Sequence, residues 1–572
     1  MGIPAFDFSH YFTYEEIVSF LHQVAVAYPD LVRLEVIGQS YEGRDLWLAT
    51  VTQQSSGNPL DKPAYWIDAN THAGEVTGSA VALYTLHYLV THYGQDPRVT
   101  RLVDDTCVYI LPRIAVDGSE HYLTTPYRVR SSVRSYPEPE MRDGLHPHDI
   151  NGDGRILMMR IPDPCGAWKQ SEQDPRVMRP RDPDEFDGSY FTLMPEGLIH
   201  QFDGYEVKIA PPLKGMDFNR NYPHEWAPEG SQEGAGSYPF SEPETRAEAE
   251  FWRSHPNING FLTYHTYSAV ILRPYSTHAD EHFPSPDLET YKLIGEVGSR
   301  ITGYECVSVY HQFRYDPKSV TTGGMDDYGY DQWGWFGFTT ELWDLPTEAG
   351  VKKKDYIEWL RRHPESDDLL MMHWNDQALA GQGFVDWQPF DHPQLGSLEI
   401  GGWDEKAVWQ NAPAQCLPDL CEKHCQFTIS HALMSPKLAI AQWELIPIGT
   451  ADHAQGSRLY RLILQLENRG FLPTYTSHKA LERKIVKPIE VELQLPDEAT
   501  LISGQSKQEI GHLEGRANKA SSTFTRGESI DYRRKVEWVI SGSLGSTIQI
   551  AAVSQRAGKV ELAITLTDPK PS

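Results

Sequence analysis

The sequence predicts an α/β unit followed by an all-β sandwich, and three observations carry that prediction. First, up to about residue 430, short β-branched and aromatic runs alternate with helical stretches, the grammar of a sheet flanked by helices. Second, beyond Leu438 the helical period disappears, and runs such as Leu459-Tyr460-Arg461-Leu462-Ile463-Leu464-Gln465-Leu466 alternate with period two. Third, several strand-like runs of the first part end in a lone His or Glu, which is where α/β sheets carry their chemistry.

Taken in order, Thr13-Tyr14-Glu15-Glu16 opens a helix with a cap-like Thr and an acidic first turn, running to about Ala27. Residues 31–36 and 45–51 read as paired strands around the turn 38–43, and strand 63–69 precedes the loop His72-Ala73-Gly74-Glu75. An apolar helix over 75–93 and a buried strand over 107–111 follow. Residues 131–215 are rich in Pro, Asp, Gly and Arg with few periodic runs, and read as a long insertion. Alternation resumes with a capped helix from Ser241 to about Ser254, with Pro243 near its first turn. Strand 258–264, helix 286–302, strand 336–342 and a last helix within 412–433 complete the α/β part. Strands over 489–495, 535–540, 548–553 and 559–566 then build the sandwich. The expected division is 1–435, with the 131–215 insertion, and 436–572.

A chain of 572 residues is too long for one ordinary core, and two or three domains are expected. With 40% apolar residues and 15 Trp it is globular. A formal charge of −28 argues against nucleic acid or an anionic membrane as main partner. The first residues lack the features of a signal peptide and no apolar run is long enough to span a membrane. The default expectation is therefore cytoplasmic, or secreted if a leader was removed. Phe6 stands where myristoylation wants Ser or Thr. Six Cys make no disulfide framework. Cys416, Cys421 and Cys425 cluster around His424, but their spacing fits no standard zinc motif, and buried small apolar residues are the preferred reading.

The chemistry lies in His72, Glu75, His265 and Glu341. Strand ends delivering His, Glu, His and a further Glu are what a catalytic zinc site needs: three protein ligands, an open position and a nearby carboxylate.

These residues resemble the zinc carboxypeptidases of the carboxypeptidase A type, the M14 metallopeptidases. The resemblance runs from about Tyr11 through Asp344, and includes the opening Tyr-Phe-Thr-Tyr-Glu-Glu-Ile followed by Ile-Gly-Gln-Ser-Tyr-Glu-Gly-Arg. It implies a mixed, largely parallel eight-stranded sheet flanked by helices and a peptide substrate cut at its C-terminus. It also implies one zinc held by His72, Glu75 and His265, with Glu341 as the catalytic glutamate and Asp217 orienting His72. Asn219 and Arg220 match the pair that binds the substrate carboxylate, and Tyr267 falls in the substrate site. Arg130 falls where the family polarises the scissile carbonyl, with Arg128 as the alternative. Asp326 falls at the base of the side-chain pocket, where an acid favours Lys or Arg, although Asp327 adjoins it. Tyr328, Tyr330, Trp333 and Trp335 either shape an apolar pocket or belong to the core.

Two departures bear on substrate class. The family's digestive members carry Arg where Gly74 stands, and their mobile Tyr would fall near Ser319, leaving Tyr315 as the substitute. A second metal signal is Asp149-Ile150-Asn151-Gly152-Asp153-Gly154-Arg155, which looks like the first half of an EF-hand loop. Asp149, Asn151, Asp153 and the Arg155 carbonyl would bind calcium, yet position 12 is Arg160, and the alternative is a metal-free Asx turn. The expected activity is therefore a zinc carboxypeptidase. A cell-wall peptide amidase or deacylase on the same scaffold, or a non-catalytic binding protein, are the rivals, and an intact Glu341 argues against the last.

Overall fold

The computed structural model describes residues 3–567 apart from 138–141, 212–214, 451–456, 518 and 520–528. Eight strands form the central sheet: β1 (Val32–Gln39), β2 (Asp45–Val51), β3 (Ala64–Ala69), β4 (Cys107–Leu111), β5 (Ile258–Thr266), β6 (Val270–Arg273), β7 (Glu305–Ser308) and β8 (Phe336–Leu342). Their order is β1-β2-β4-β3-β5-β8-β6-β7. β4, β3, β5 and β8 run parallel; β2 joins β4, and β6 joins β8, antiparallel. Parallel strands covered on both faces must be apolar throughout, and β3 and β4 are buried at every position.

Alternation along β3 divides the core. Tyr65, Ile67 and Ala69 pack under the helices Thr77–His92 and Leu417–Ala432, while Ala64 and Trp66 face Phe251, Trp252, Phe261 and Trp335. The helix Tyr14–Ala27 starts with the expected capping box between Thr13 and Glu16. The helix Pro243–Ser254 differs from expectation, because Glu242 at its cap makes no capping bond and is paired instead with Arg134. Cys421, Cys425 and His424 are buried on the inner side of Leu417–Ala432, as small core residues. Among the described residues no helix is long and apolar enough to cross a membrane.

The insertion is more regular than its composition suggests. Met158–Pro162, Trp168–Gln170, Met178–Pro180 and Phe191–Pro195 join the later hairpin Phe384–His392 and Gly396–Trp403 in one six-stranded sheet. Its small core contains Leu157, Met159, Met194, Leu398 and Ile400. Downstream, two four-stranded antiparallel sheets share a core of Tyr460, Leu462, Leu464, Val491, Trp538, Ile550 and Ile564, which is a β-sandwich.

Candidate active site

The loop after β3 is shaped by Asn70, which adopts a left-handed φ of 61° that Asn tolerates better than most residues. Its Nδ2 donates to the carbonyls of His72 (2.7 Å) and Ala73 (3.2 Å), and its Oδ1 accepts from Ser79 Oγ (2.7 Å). This carboxamide turns His72 and Glu75 toward the C-terminal ends of β5 and β8. There the parallel register sets His265 directly opposite Glu341.

The donor atoms of His72, Glu75 and His265 lie within 4.8 Å of one another, and all three residues are buried. Glu75 Oε1 lies 2.8 Å from His72 Nδ1, and Glu75 Oε2 lies 3.0 Å from His265 Nδ1. The two Nδ1 atoms are 3.0 Å apart. Burial would raise the Glu75 carboxyl, but His72 and His265 outweigh it and hold the group below the usual carboxylate range. Burial lowers His265, yet the Glu75 charge prevails and pushes it up to about 9.

His72 Nε2 contacts Asp217 Oδ1 at 3.1 Å, the outer-shell partner that fixes a ligand imidazole. Asp217 also accepts from Arg130 Nε (2.9 Å) and the Asn219 amide (2.9 Å), with Arg220 at 3.9 Å. Despite burial, Arg130, Arg220 and His72 hold its carboxyl well below the normal range. Two guanidinium groups thus share one carboxylate. Burial and the neighbouring Arg130 both pull Arg220 down, against Asp217. A second anion would relieve that repulsion.

Glu341 closes the constellation. Its Oε2 is buried without a hydrogen-bond partner. Burial and the Glu75 charge push its carboxyl up to about 8, against the pull of His265 and Arg130. Arg128 lies apart, paired with Glu405 at 2.5 Å, so Arg130 is the arginine brought to the cluster. Glu399 pairs with Arg160 in the six-stranded sheet. Asn219 Oδ1 accepts from the Met325 amide at 2.9 Å. Tyr267 is half-buried, and its hydroxyl is raised by burial and by Glu405, against Arg128. Tyr315 is largely exposed as a residue, while burial of its hydroxyl and the Glu341 charge push that group up, against Arg130.

Asp326 is buried and accepts from Thr339 Oγ1 at 2.7 Å. Burial pushes its carboxyl up to about 6, with His265 opposing. Asp327 is the anchored acid of the pair, accepting from the Ser276 amide (2.8 Å) and Thr277 Oγ1 (3.0 Å). Tyr328, Tyr330 and Trp335 sit in the core clusters, which is the second of the two expectations for them. In the exposed loop at 149–155, the oxygens pair with the loop's own amides. Asp149 accepts from Gly152 and Gly154, Asn151 from Asp153, and Asp153 from Arg155. That is the Asx-turn arrangement, and calcium there rests on the sequence pattern alone.

Two imidazoles and a carboxylate, buried at the C-terminal edge of an α/β sheet beside a spare carboxylate, define a metallohydrolase. A family model described as zinc carboxypeptidase matches residues 17–359, more than half of the chain, and the chain belongs to that family. A model described as a domain of unknown function matches residues 449–565. Among curated relatives, Carboxypeptidase A6 of Mus musculus is 25% identical over 356 residues, covering 60% of this chain and 62% of that protein. Carboxypeptidase B of Bos taurus is 25% identical over 363 residues, covering 62% and 67%. The chain therefore spans just under two thirds of the mouse relative's length. A solved structure of thrombin activatable fibrinolysis inhibitor shares 19% identity with a TM-score of 0.42 over 74% of this chain and 75% of that one. A likeness at that level adds nothing to the fold already described.

The Gln410 carboxamide fills the space beside Gly74, its Nε2 2.5 Å from where a Cβ there would stand, and neither it nor Asn70 is among the site residues expected from the sequence. Asn70 carried a signal, a turn-forming Asn directly after a buried strand. Gln410 carried none.

Proposed function

We propose that this chain is a zinc-dependent metallocarboxypeptidase that releases C-terminal residues from peptides. The observation that carries the reading is the pair Arg130 and Arg220 around the single carboxylate of Asp217, beside the His72–Glu75–His265 cluster. Guanidinium groups with spare donors recognise a carboxylate best, and only an exopeptidase substrate brings one to the scissile bond.

The donor set fits zinc, with nitrogen and oxygen ligands converging and the outer nitrogen of His72 fixed by Asp217. Bound by His72, Glu75 and His265, zinc supplies the Lewis acidity that polarises a carbonyl and acidifies a water. Glu341, with its unpartnered oxygen and a carboxyl poised near neutrality, takes the proton of the attacking water and returns it to the leaving amine. Arg130 stabilises the charge that develops on the carbonyl oxygen. Arg220 and Asn219 hold the terminal carboxylate, while Tyr267 and Tyr315 border the substrate. Asp326, buried and bonded to Thr339 Oγ1, is the acid that gives the side-chain pocket a preference for Lys or Arg.

A peptide with a free C-terminal Arg and its C-terminal amide make the test. Release from the acid at least about tenfold faster than from the amide is expected, since a charged hydrogen-bond partner is lost. Equal cleavage of both would favour the amidase rival.

A further inference from the structure

Gly74 lies between two of the metal-site residues, and the space beside it is taken. A Cβ at Gly74 would stand 2.5 Å from Gln410 Nε2 and 2.8 Å from its Oε1, so only the missing side chain lets this carboxamide in. Gln410 comes from a segment more than 300 residues away in the chain, just after the six-stranded sheet. Its neighbour Asn411 fastens that segment, donating Nδ2 to the Gly74 carbonyl at 2.8 Å and accepting from the Thr77 amide at 3.1 Å. The Gln410 amide nitrogen donates to the Glu405 carbonyl at 2.8 Å, which closes the turn behind it. The main chain is thus held on both sides.

The carboxamide itself is not. Gln410 makes no side-chain hydrogen bond among the described residues; its Oε1 is buried without a partner, which leaves Nε2 as the accessible end. A carboxamide carried on a fastened main chain but with no internal partner is costly as structure and useful as a waiting donor. Its surroundings say for what. Gly74 adjoins Glu75, whose Oε2 accepts from the amide of Thr266, the residue before Tyr267, at 3.2 Å, so Gln410 stands on the Tyr267 side of the metal cluster. Arg220, the carboxylate-binding group, lies instead on the side of Asp217 and Asn219. A peptide whose terminal carboxylate sits at Arg220 therefore leads its upstream chain toward Gln410.

Resting on the carboxypeptidase reading, we propose that Gln410 Nε2 donates to the substrate carbonyl one residue upstream of the scissile bond, a positioning contact that Gly74 makes room for. It fixes the register of the substrate so that the scissile carbonyl meets Arg130 and Glu341.

The test uses an N-acetyl dipeptide ending in Arg and its N-thioacetyl analogue, in which sulfur, a poor acceptor, replaces that one upstream oxygen. The wild type should prefer the oxygen substrate by about tenfold in kcat/KM, the scale of one directed hydrogen bond. Gln410→Leu should abolish that preference, with zinc content and melting temperature unchanged. Gly74→Ala, whose new methyl meets the carboxamide, should abolish it too, and the double variant should add nothing further. An oxygen preference that survives both substitutions would overturn the inference, as would an equal loss on both substrates accompanied by a lower melting temperature. Failure of the wild type to release Arg from either peptide would overturn the carboxypeptidase reading and this contact with it.

Discussion

Glu341 has an oxygen that is buried and unpartnered, opposite a histidine in strict parallel register. A carboxylate in that position destabilises the fold, because burial and the Glu75 charge both oppose its ionisation. Glu341→Gln removes proton acceptance and keeps the shape. Turnover should fall by about 10² or more while zinc content stays at the wild-type level. Near-normal turnover would mean that the base is elsewhere. The ligands make a second prediction, through His265. Its imidazole is pushed up to about 9 in the protein without metal, so below that pH a proton must leave before the nitrogen can bind. Zinc affinity should therefore rise with pH, by about tenfold per unit between about pH 7 and 9, and level off above. Competition with a chelator across that range measures it, and a flat profile would contradict the coupling between Glu75 and His265. His72 and Glu75, in the loop that follows one apolar strand, and His265 and Glu341, near the ends of two others, were legible in the sequence because each of those strands carries its own apolar signature. Asn70 showed only as a turn signal, and Gln410 not at all, since its meaning depends on what folds against it. For Gln410 that partner is Gly74, and an absent side chain leaves no mark of what occupies its place.

At the scale of elements, the site depends on how tightly β5 and β8 approach. A Cβ on Gly337 of β8 would lie 1.9 Å from the Phe261 ring of β5, four residues before His265. Gly337→Ala should therefore cost about 1–3 kcal/mol through overpacking. It should also weaken zinc retention, because the shift is transmitted along the strand that carries His265. Denaturant melts and elemental analysis would show both; a loss of stability with full zinc retention would place the strain elsewhere. The parallel strands themselves were legible, since burial on both faces writes a continuous apolar run. The six-stranded sheet of the insertion was not. Trp168–Gln170 and Met178–Pro180 are three residues each, too short to show a period. They pair with each other and, through Trp168, with Phe191, while Met158–Pro162 alone joins the insertion to the hairpin 384–403, and no local signal links those two distant stretches.

At the scale of the whole molecule, the sandwich was visible in its alternating runs, but its attachment to the α/β part was not. That attachment converges on Asp287, a buried aspartate of the helix Ser285–Thr302. Its carboxylate accepts from the His478 amide (2.8 Å), the Lys479 amide (3.0 Å) and the Tyr330 hydroxyl (2.7 Å). Around it Thr476 Oγ1 donates to Asn259 at 2.5 Å, Ser477 Oγ to the Gly334 carbonyl at 2.7 Å, and Arg556 to the Trp333 carbonyl at 2.5 Å. Arg483 pairs with Asp331 alongside. Arg556 is buried with Nε and Nη1 unpartnered, so it adds little net attraction, and Asp287 is left as the main polar tie. Charge-assisted bonds of this kind contribute roughly 1.5–3 kcal/mol, and a buried partner left unpaired costs a similar amount. Two parts joined by such a tie should unfold together. Calorimetry of the wild type should therefore give one endotherm. Asp287→Ala strands two backbone amides and a tyrosine hydroxyl, so it should lower that transition by several degrees and split it in two, with the sandwich and the α/β part melting separately. Two endotherms already present in the wild type would show that the tie does not couple them. A single unshifted one in the variant would show that the surrounding bonds suffice without Asp287.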